Sequence, residues 1–280
     1  MTKRYRPNLE RASPKSPTSG DFEVSGSGLG VAQDQWRSIP PLAAPGAVQM
    51  AIDSWLFEQF CRGNQPPVLR FYTWKPIAIS LGFHQSRYPS EWRDLTWQGE
   101  AIDLVRRPSG GRAVLHQGDL TYAVITSGEG NRMQAYRSIC EFLIQAWRSI
   151  GVDLDFGSAG RGYIHNPNCF GSATAADLVM PDGRKLIGSA QVRRGTAILQ
   201  HGSIRLNPDR ALFQQVFGMD EVIADLPKIP RSDIIAALET AASSCFQMTL
   251  QPEPLTEEEW QQINAQPTDR AIASSSNPGG

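Results

Sequence analysis

Apolar residues recur at helical spacing in three stretches of this 280-residue chain. Side chains three and four positions apart share one face of an α-helix, so each stretch predicts a helix that packs on a core. The stretches are Val48, Ala51, Ile52, Trp55, Leu56 and Phe60; Met133, Tyr136, Ile139, Leu143, Trp147 and Ile150; and Ile234, Ile235, Leu238, Ala241, Ala242 and Cys245. A short fourth helix is expected at 256–263, because Thr256 followed by three glutamates is typical of a helix start.

Short apolar runs between these stretches predict β-strands. The runs lie at 68–74, 77–83, 101–107, 113–116, 120–126, 176–180, 185–192 and 196–206. Asp182-Gly183 and Arg194-Gly195 separate neighbouring runs and are typical of hairpin turns. Strands joined by short turns favour a mixed, largely antiparallel sheet that is covered by helices. The sequence therefore predicts an α+β fold.

The two ends of the chain lack this apolar periodicity. Residues 1–34 are rich in Ser, Gly, Pro and Arg, and residues 264–280 are polar. Such segments bury too little apolar surface to offset the entropy lost on folding. We therefore expect disordered tails at 1–34 and 264–280, with a single folded domain at 35–263.

Composition and charge exclude several classes of function. The formal net charge is −1, which gives no electrostatic reason to expect binding to nucleic acid or to an anionic membrane. No run of the sequence approaches the roughly 18 apolar residues that a membrane span requires. The cysteines Cys61, Cys140, Cys169 and Cys245 form no CxxC pair, which argues against a zinc site or a disulfide framework. We expect a globular cytoplasmic protein with no nucleic-acid or membrane partner.

A basic segment with adjacent glycines follows the strand predicted at 101–107. It consists of Arg106-Arg107-Pro108-Ser109-Gly110-Gly111-Arg112-Ala113-Val114-Leu115-His116. Adjacent glycines allow a ligand to approach the backbone closely, although a tight turn needs them equally. The arginines favour an anion, because guanidinium groups bind phosphate well. His116 is a candidate base or a structural hydrogen-bonding residue.

A predicted hairpin carries small residues where larger ones would pack better. The residues of interest on its two strands are Gly188, Ser189, Ala190 and Gln191, and then His201, Gly202 and Ser203. Small residues on a strand leave room either for a substrate or for a closely packed helix. Lys185 begins the first strand, and a solvent-exposed lysine is the default interpretation.

Cys169 lies in a polar, Gly-rich loop at 157–175. The other three cysteines belong to predicted helices with apolar faces, so they are most simply core residues. Loops of this composition often hold lids and catalytic residues. Cys169 is therefore either a nucleophile or an incidental thiol.

Together these segments resemble the lipoate-protein ligases and octanoyltransferases of the biotin/lipoate-protein ligase superfamily. The resemblance covers about residues 35–220, with the motifs in the family's order. The matching segments are the opening strand and helix from Trp36 to Leu56, Trp74-Lys75-Pro76, Ile79-Ser80-Leu81-Gly82, Arg106-Arg107, Ser109-Gly110-Gly111, Ala113-Val114-Leu115-His116, the strand from Gly183 to Gln191, and Leu199-Gln200-His201-Gly202-Ser203. The domain at 35–263 is thus expected to be the catalytic domain of this superfamily.

Three details favour the cysteine-dependent octanoyltransferases within the superfamily. Arg112 stands where ATP-dependent ligases usually have a third glycine, and Asn168-Cys169-Phe170 lies where the transferases carry their acyl-accepting cysteine. The chain also ends soon after the catalytic domain, without the separate C-terminal domain of many ligases. Pro108 departs from the usual pattern, which leaves the fine substrate preference open.

The resemblance implies a two-step acyl transfer. Cys169 would attack the thioester of an octanoyl-acyl carrier protein, and a lysine of a lipoyl domain would then attack the acyl-enzyme. The acceptor would be the glycine cleavage H protein or a dehydrogenase lipoyl domain. Lys185 aligns with the active-site lysine of the family, whose charge would favour the thiolate and stabilise the oxyanion.

The resemblance also implies a set of substrate-binding residues. They are Arg107, Ser109, Gly110, Gly111, Arg112, His116, Gly188, Ser189, Ala190, Gln191, His201 and Gly202. No cofactor or metal is expected, because the transfer from thioester to amide runs downhill without ATP. Three alternatives remain: an ATP-dependent lipoate or octanoate ligase in which Cys169 is a bystander, a lipoyl-domain amidotransferase, and a non-catalytic acyl-binding homologue.

Overall fold

The computed structural model of the protein describes residues 35–157, 177–219 and 226–266. The helices in these ranges are α1 (Gly46–Cys61), α2 (Arg132–Ser149), α3 (Arg210–Phe217), α4 (Arg231–Phe246) and α5 (Glu257–Asn264). The strands are β1 (Gln35–Ala44), β2 (Val68–Trp74), β3 (Ala78–Leu81), β4 (Thr96–Trp97), β5 (Glu100–Ala101), β6 (Asp103–Arg106), β7 (Val114–His116), β8 (Asp119–Ser127), β9 (Asp155–Phe156), β10 (Asp177–Val179), β11 (Lys185–Arg194), β12 (Ala197–Arg205) and β13 (Thr249–Pro252). None of the helices in the described ranges is long and apolar enough to cross a membrane.

A large sheet in the order β13-β1-β2-β8-β12-β11-β10-β9 forms the centre of the fold. β1 pairs in parallel with β13 and β2, and the remaining pairs in this sheet are antiparallel. A smaller sheet in the order β6-β3-β7 is also mixed, and β4 and β5 form a two-stranded ribbon. The prediction of an α+β fold with a mixed, largely antiparallel sheet covered by helices is confirmed.

The large sheet carries a hydrophobic core on each face, because successive side chains of a strand point to opposite sides. On one face, Ile198 and Ile204 of β12 pack in a cluster with residues of α2 and α4. On the other face, Leu199 packs in a cluster with residues of α1. The small sheet has its own cluster, in which Ile79 of β3 packs with Leu212 of α3. The two sheets are thus separately supported, with α1 close to the small sheet as well as to the large one.

Most predicted elements are present. The three apolar stretches form α1, α2 and α4, and α5 begins at Thr256 with a capping box to Glu259. Both predicted hairpin turns have a glycine in the left-handed region, with φ values of 83° at Gly183 and 61° at Gly195. The hydrophobic pattern missed β1, because Pro40 and Pro41 interrupt it. The pairing of β1 with β2 also shifts its register between Ile39 and Leu42, at these prolines.

The C-terminal helix α5 packs on the face of the domain that α1 covers. Ile263 is only 2% exposed and belongs to the same hydrophobic cluster as Leu56 of α1. Arg37 of β1 donates to both carboxylate oxygens of Glu259, at 2.6 and 2.7 Å. Asn264, which was predicted to begin the tail, is the last residue of this helix. Residues 1–34 and most of the predicted C-terminal tail lie outside the described residues.

We predict that Ile263→Ala lowers the free energy of unfolding by about 2 to 5 kcal/mol, because it opens a cavity beneath α5. Gln261→Ala on the same helix removes an exposed side chain and is expected to change stability by less than about 0.5 kcal/mol. Urea denaturation of both variants checks this. Equal effects of the two substitutions would show that α5 does not contribute to the core.

Candidate active site

A cavity with about 630 Å³ of empty space, open solvent included, lies between the large sheet and the small one. Among the described residues it is lined by Met50, Tyr72, Trp74, Ser80, Arg107, Gly111, Val114, His116, Thr121, Asp177, Gly188, Ser189, Ala190, His201, Gly202 and Ser203. The lining combines side chains of both sheets with one residue of α1 and the loop between β6 and β7. It is therefore assembled from parts that are far apart in the sequence.

The structure brings most of the predicted substrate-binding residues to this cavity. Those that line it are Arg107, Gly111, His116, Gly188, Ser189, Ala190, His201 and Gly202. Gly110 and Gln191 instead face an adjoining groove, and Ser109 is fully buried behind the cavity wall. Arg112 lines neither concavity among the described residues. Cys169 lies outside the described residues.

Small residues on adjacent strands form the floor of the cavity. Residues paired across strands share a face, and one such row runs through Thr121, Ser203, Gly188 and Asp177. Gly188 has no side chain, so a depression lies between Ser203 and Asp177. The small residues of the β11–β12 hairpin thus leave space here for a ligand.

Lys185 is buried, which contradicts the default interpretation of a solvent-exposed lysine. Its side chain is 4% exposed, and its ammonium nitrogen lies 2.9 Å from a carboxylate oxygen of Asp177. A lysine is stable in such a position only when an opposite charge compensates for the lost hydration. Because Asp177 lines the cavity, the ion pair places a fixed positive charge beside it.

A buried hydrogen-bonding network centred on Asp53 joins α1 to the large sheet. The Asp53 carboxylate accepts from Arg70 Nη1 at 2.9 Å and from the Tyr72 hydroxyl at 2.9 Å, and it lies 2.8 Å from His201 Nδ1. His201 Nε2 is in turn 2.5 Å from Ser109 Oγ. The network therefore extends from the helix, through two strands, to the loop that contains the adjacent glycines.

The charge of Asp53 depends on these partners. Burial raises the pKa of the Asp53 carboxyl, but the Arg70 guanidinium and the hydrogen bonds from His201 and Tyr72 outweigh it, so the pKa lies below the usual value of 3.8. Asp53 is thus ionised at neutral pH.

His116 is the centre of a second network of the same type. Its Nδ1 lies 2.8 Å from Asp119 Oδ2, its Nε2 lies 2.8 Å from Ser80 Oγ, and its ring stacks on Trp74 at 3.9 Å. Burial lowers the pKa of His116 more than Asp119 raises it. A neutral imidazole that donates from Nδ1 to Asp119 must accept at Nε2, so the Ser80 hydroxyl is the donor. Both ring nitrogens are engaged, and the geometry supports a structural role.

The loop with the adjacent glycines is held against β3. Gly111 has φ = 102°, in the left-handed region, and its carbonyl oxygen occupies the space that a Cβ on Gly82 would need. The Arg107 guanidinium donates to the carbonyl groups of Ser80, Gly110 and Arg112, each at 2.8 Å.

Arg106 likewise donates to backbone carbonyl groups, those of Gly82 and Gln85 at 2.8 and 2.9 Å. Arg106 and Arg107 were expected to supply positive charge for an anion. In the structure their guanidinium groups also shape the loop, which the sequence did not suggest.

Sequence reasoning missed the carboxylates of the site. Asp53, Asp119 and Asp177 are all buried, and each contacts a histidine or lysine that was predicted. Asp53 had a usable signal, because it interrupts the apolar face of α1, where a charged residue is rare unless it is paired. Asp119 and Asp177 begin strands and had no comparable signal.

The cysteines of the described residues are poor nucleophiles. Burial raises the pKa of Cys61 and Cys245, and it raises the pKa of Cys140 to about 12. Only the thiolate attacks a thioester efficiently, so these three thiols are almost entirely in the unreactive form at neutral pH.

Residues 45–234 match the lipoyl protein ligase A/B catalytic domain. The chain belongs to this family. Every described residue that lines the cavity falls within the family domain.

Octanoyltransferases named LipM are among its relatives in the family. That of Exiguobacterium sp. is 33% identical over 261 residues, which cover 82% of this chain and 93% of the relative. That of Bacillus subtilis is 38% identical over 189 residues, which cover 63% of this chain and 67% of the relative. The predicted resemblance to the cysteine octanoyltransferases of the superfamily is confirmed.

Solved structures share the fold of this family member. A lipoate-protein ligase A bound with ATP superposes with a TM-score of 0.68 at 22% identity, covering 82% of this chain and 93% of that one. The ligase of a bipartite lipoylation system from Thermoplasma acidophilum, described with its E2 lipoyl domain, has a TM-score of 0.63 at 19% identity, covering 82% and 91%. At these identities the likeness concerns the fold alone.

We predict that Gly82→Ala lowers the free energy of unfolding by about 1 to 3 kcal/mol, because the new methyl group would overlap the Gly111 carbonyl and displace the loop. Gly110→Ala is the matched control, since its Cβ would meet no described atom within 4 Å. Urea denaturation compares the two. Equal stability of both variants with the parent would mean that the loop can move away from β3 without cost.

We predict that Asp53→Asn costs about 3 to 5 kcal/mol at pH 7, because it leaves the buried Arg70 guanidinium without its counter-charge. Because the folded pKa of Asp53 is lowered, its contribution is complete above the unfolded value and is lost as the pH falls through the folded value. Denaturation between pH 7 and pH 2 should therefore show a smaller acid-induced loss in the variant than in the parent.

Asp153→Asn is the control for this measurement. Asp153 is exposed and lies 3.6 Å from Arg148, and such surface pairs contribute less than about 1 kcal/mol. An Asp53→Asn protein as stable as Asp153→Asn would contradict the assigned role of the buried pair.

Proposed function

We propose that this protein is an octanoyltransferase that moves an octanoyl group from a carrier thioester to a lysine of a lipoyl domain. The observation that carries the proposal is the cavity beside the buried Lys185–Asp177 pair, in a chain that matches an octanoyltransferase LipM over 93% of that relative's length. An acyl-transfer site needs a cavity for the acyl chain and, beside it, a charged group that stabilises the reacting carbonyl.

The cavity suits a saturated acyl chain. Met50, Trp74 and Val114 contribute apolar walls, and Gly188 and Ala190 leave the floor open. Each buried methylene group contributes about 0.8 kcal/mol, so the alkyl part of an octanoyl group gains about 5 kcal/mol on transfer from water. This is enough to hold the chain while the carbonyl group reacts at the edge of the cavity.

The proposed reaction proceeds through an acyl-enzyme. The Cys169 thiolate attacks the carbonyl carbon of the donor thioester and forms a new C–S bond. The C–S bond to the carrier breaks, and the carrier leaves as a thiolate that takes up a proton. The neutral ε-amine of the acceptor lysine then attacks the acyl-enzyme, the amide forms, and the Cys169 thiolate is released as the amine loses a proton. The two steps as written consume no oxidant or nucleotide and use no metal.

Lys185 is proposed to stabilise both charged species of this reaction. Its ammonium group, fixed by Asp177, would favour the Cys169 thiolate over the thiol and then the oxyanion of the tetrahedral intermediate. A charge that is already oriented costs no reorganisation when the intermediate forms. The fixed pair with Asp177 supports this role better than a mobile surface lysine would.

The family acts in lipoylation, and we propose two specific partners for this member of it. The donor is an acyl carrier protein, and the acceptor is a lipoyl-domain protein such as the glycine cleavage H protein. Its proposed location is the cytoplasm, as the spacing of its cysteines indicates. The domain at 35–263 is proposed to suffice for the reaction.

We predict one octanoyl adduct on the protein after incubation with octanoyl-acyl carrier protein in the absence of ATP. Cys169→Ala should form no adduct and transfer nothing, because it lacks the nucleophile. Cys245→Ala is the matched control and should behave as the parent, because burial raises the pKa of that thiol. Intact-mass spectrometry measures the adduct. An adduct on Cys169→Ala would show that Cys169 is not the nucleophile.

The same assay separates a transferase from a ligase. The parent protein is offered octanoyl-acyl carrier protein without ATP, or free octanoate with ATP and magnesium, and octanoylation of a lipoyl domain is followed. We expect modification in the first mixture. Modification in the second mixture alone would identify an ATP-dependent ligase.

A further inference from the structure

A second concavity, here called the basic groove, adjoins the active-site cavity and has about 1510 Å³ of empty space, open solvent included. Its charged lining residues are Arg106, Arg107, Arg132, Arg193, Arg194 and Glu58. It is more than twice as large as the cavity, so it suits the surface of another protein better than a second acyl chain.

The basic groove has a strong excess of positive charge among its described lining residues. One carboxylate, Glu58, offsets five arginines, and it pairs with Arg194 at 2.5 Å. Arg193 donates to the carbonyl groups of Gly128 and Gly130, which orients its guanidinium, and it forms no ion pair with a carboxylate of the described residues. A concave surface of one sign attracts an oppositely charged partner and raises the rate of encounter. The chain as a whole has a net charge of only −1, so this positive charge is local.

An exposed aromatic residue lies among these arginines. Phe83 lines the groove and is 55% exposed. The other large hydrophobic residue that is exposed in the described ranges is Met133, which directly follows Arg132 in the chain. Protein interfaces are enriched in aromatic residues, Met and Arg, and their binding energy is concentrated in such anchors. The groove thus has the composition of a docking surface.

The groove and the cavity are adjacent, because one residue lines both and neighbouring residues of two chain segments line one or the other. Gly110 and Gln191 face the groove, whereas their neighbours Gly111 and Ala190 face the cavity, and Arg107 lines both. A flexible arm on a protein seated in the groove therefore has a short path into the cavity.

We propose that the basic groove docks an acidic carrier protein, whose phosphopantetheine arm delivers the acyl group to the cavity. This inference rests on the proposed function. The arm carries a phosphodiester anion, which guanidinium groups bind well. The acceptor arrives instead with a lysine that is largely an ammonium ion in water, and the excess positive charge of the groove repels it. The charge of the groove therefore favours the donor over the acceptor.

The test reverses one charge at the groove and another far from it. Arg132 is the first residue of α2, and an acidic residue there interacts favourably with the helix dipole, so Arg132→Glu should fold normally. Arg148→Glu is the matched control, because it makes the same change about 24 Å further along the same helix. Thermal melts verify that both variants are folded.

Two donors are compared for each protein at low ionic strength. One is octanoyl-acyl carrier protein, and the other is octanoyl-pantetheine, which has neither a protein surface nor a phosphate. We expect Arg132→Glu to raise KM for the carrier-protein donor about five- to ten-fold, and to leave kcat and the kinetics with octanoyl-pantetheine unchanged. Arg148→Glu should match the parent with both donors.

Three kinetic outcomes would overturn the docking proposal. The first is an unchanged KM for the carrier-protein donor, and the second is an equal loss with octanoyl-pantetheine, which would place the effect in the cavity. The third is a raised KM for the lipoyl domain alone, which would make the groove the acceptor site.

Fluorescence anisotropy with holo-acyl carrier protein measures docking without any transfer. If the parent binds it more tightly than Arg132→Glu does but neither donor yields an acyl-enzyme, docking stands and the proposed function fails. If octanoyl-pantetheine acylates the parent but holo-acyl carrier protein binds both proteins equally or not at all, the function stands and docking fails.

Discussion

The site depends on the interactions of one buried carboxylate, that of Asp53. A charge in this position is tolerable only with compensation, and Arg70, Tyr72 and His201 supply it at 2.8 to 2.9 Å. Because these partners lie on β2 and β12, the network joins α1 to two strands of the large sheet, in addition to the apolar packing between them. Through His201 the same network reaches Ser109, so a buried hydrogen bond ties the glycine loop to the sheet.

A second constraint is the close approach of backbones around the cavity. A Cβ on Gly202 would meet Ser189 Oγ at 2.5 Å and Tyr122 Cε1 at 2.6 Å, and a Cβ on Gly82 would overlap the Gly111 carbonyl. The first glycine lets Tyr122 donate to Ser189 across the sheet, at 2.8 Å. The second lets the loop close over β3. Glycine at both positions therefore lets neighbouring segments pack closely around the cavity.

Two charged regions with different roles lie near the cavity. The Lys185–Asp177 pair is buried beside the cavity, where a charge acts strongly because little water screens it. Four arginines of the basic groove, Arg106, Arg132, Arg193 and Arg194, are nearer to solvent, where screening leaves them suited to attracting a partner. Arg107 connects the two regions, because it lines both and holds the intervening loop through three carbonyl groups.

By itself the sequence determined the local structure and the superfamily. Helical spacing predicted α1, α2 and α4, the glycines at 183 and 195 predicted two turns, and the motif order indicated a lipoate-ligase-like domain with Gly188–Ala190 at its site. These signals are local, because helix periodicity and turn geometry depend on neighbouring residues. Only the tertiary structure decided the partners of Asp53 and Lys185 and the existence of the basic groove. Asp53 and His201 are 148 positions apart, and they meet because α1 packs across β2, β8 and β12, which are neighbours in the sheet. No residue pattern along the chain specifies that order, since it results from the packing of all the strands together.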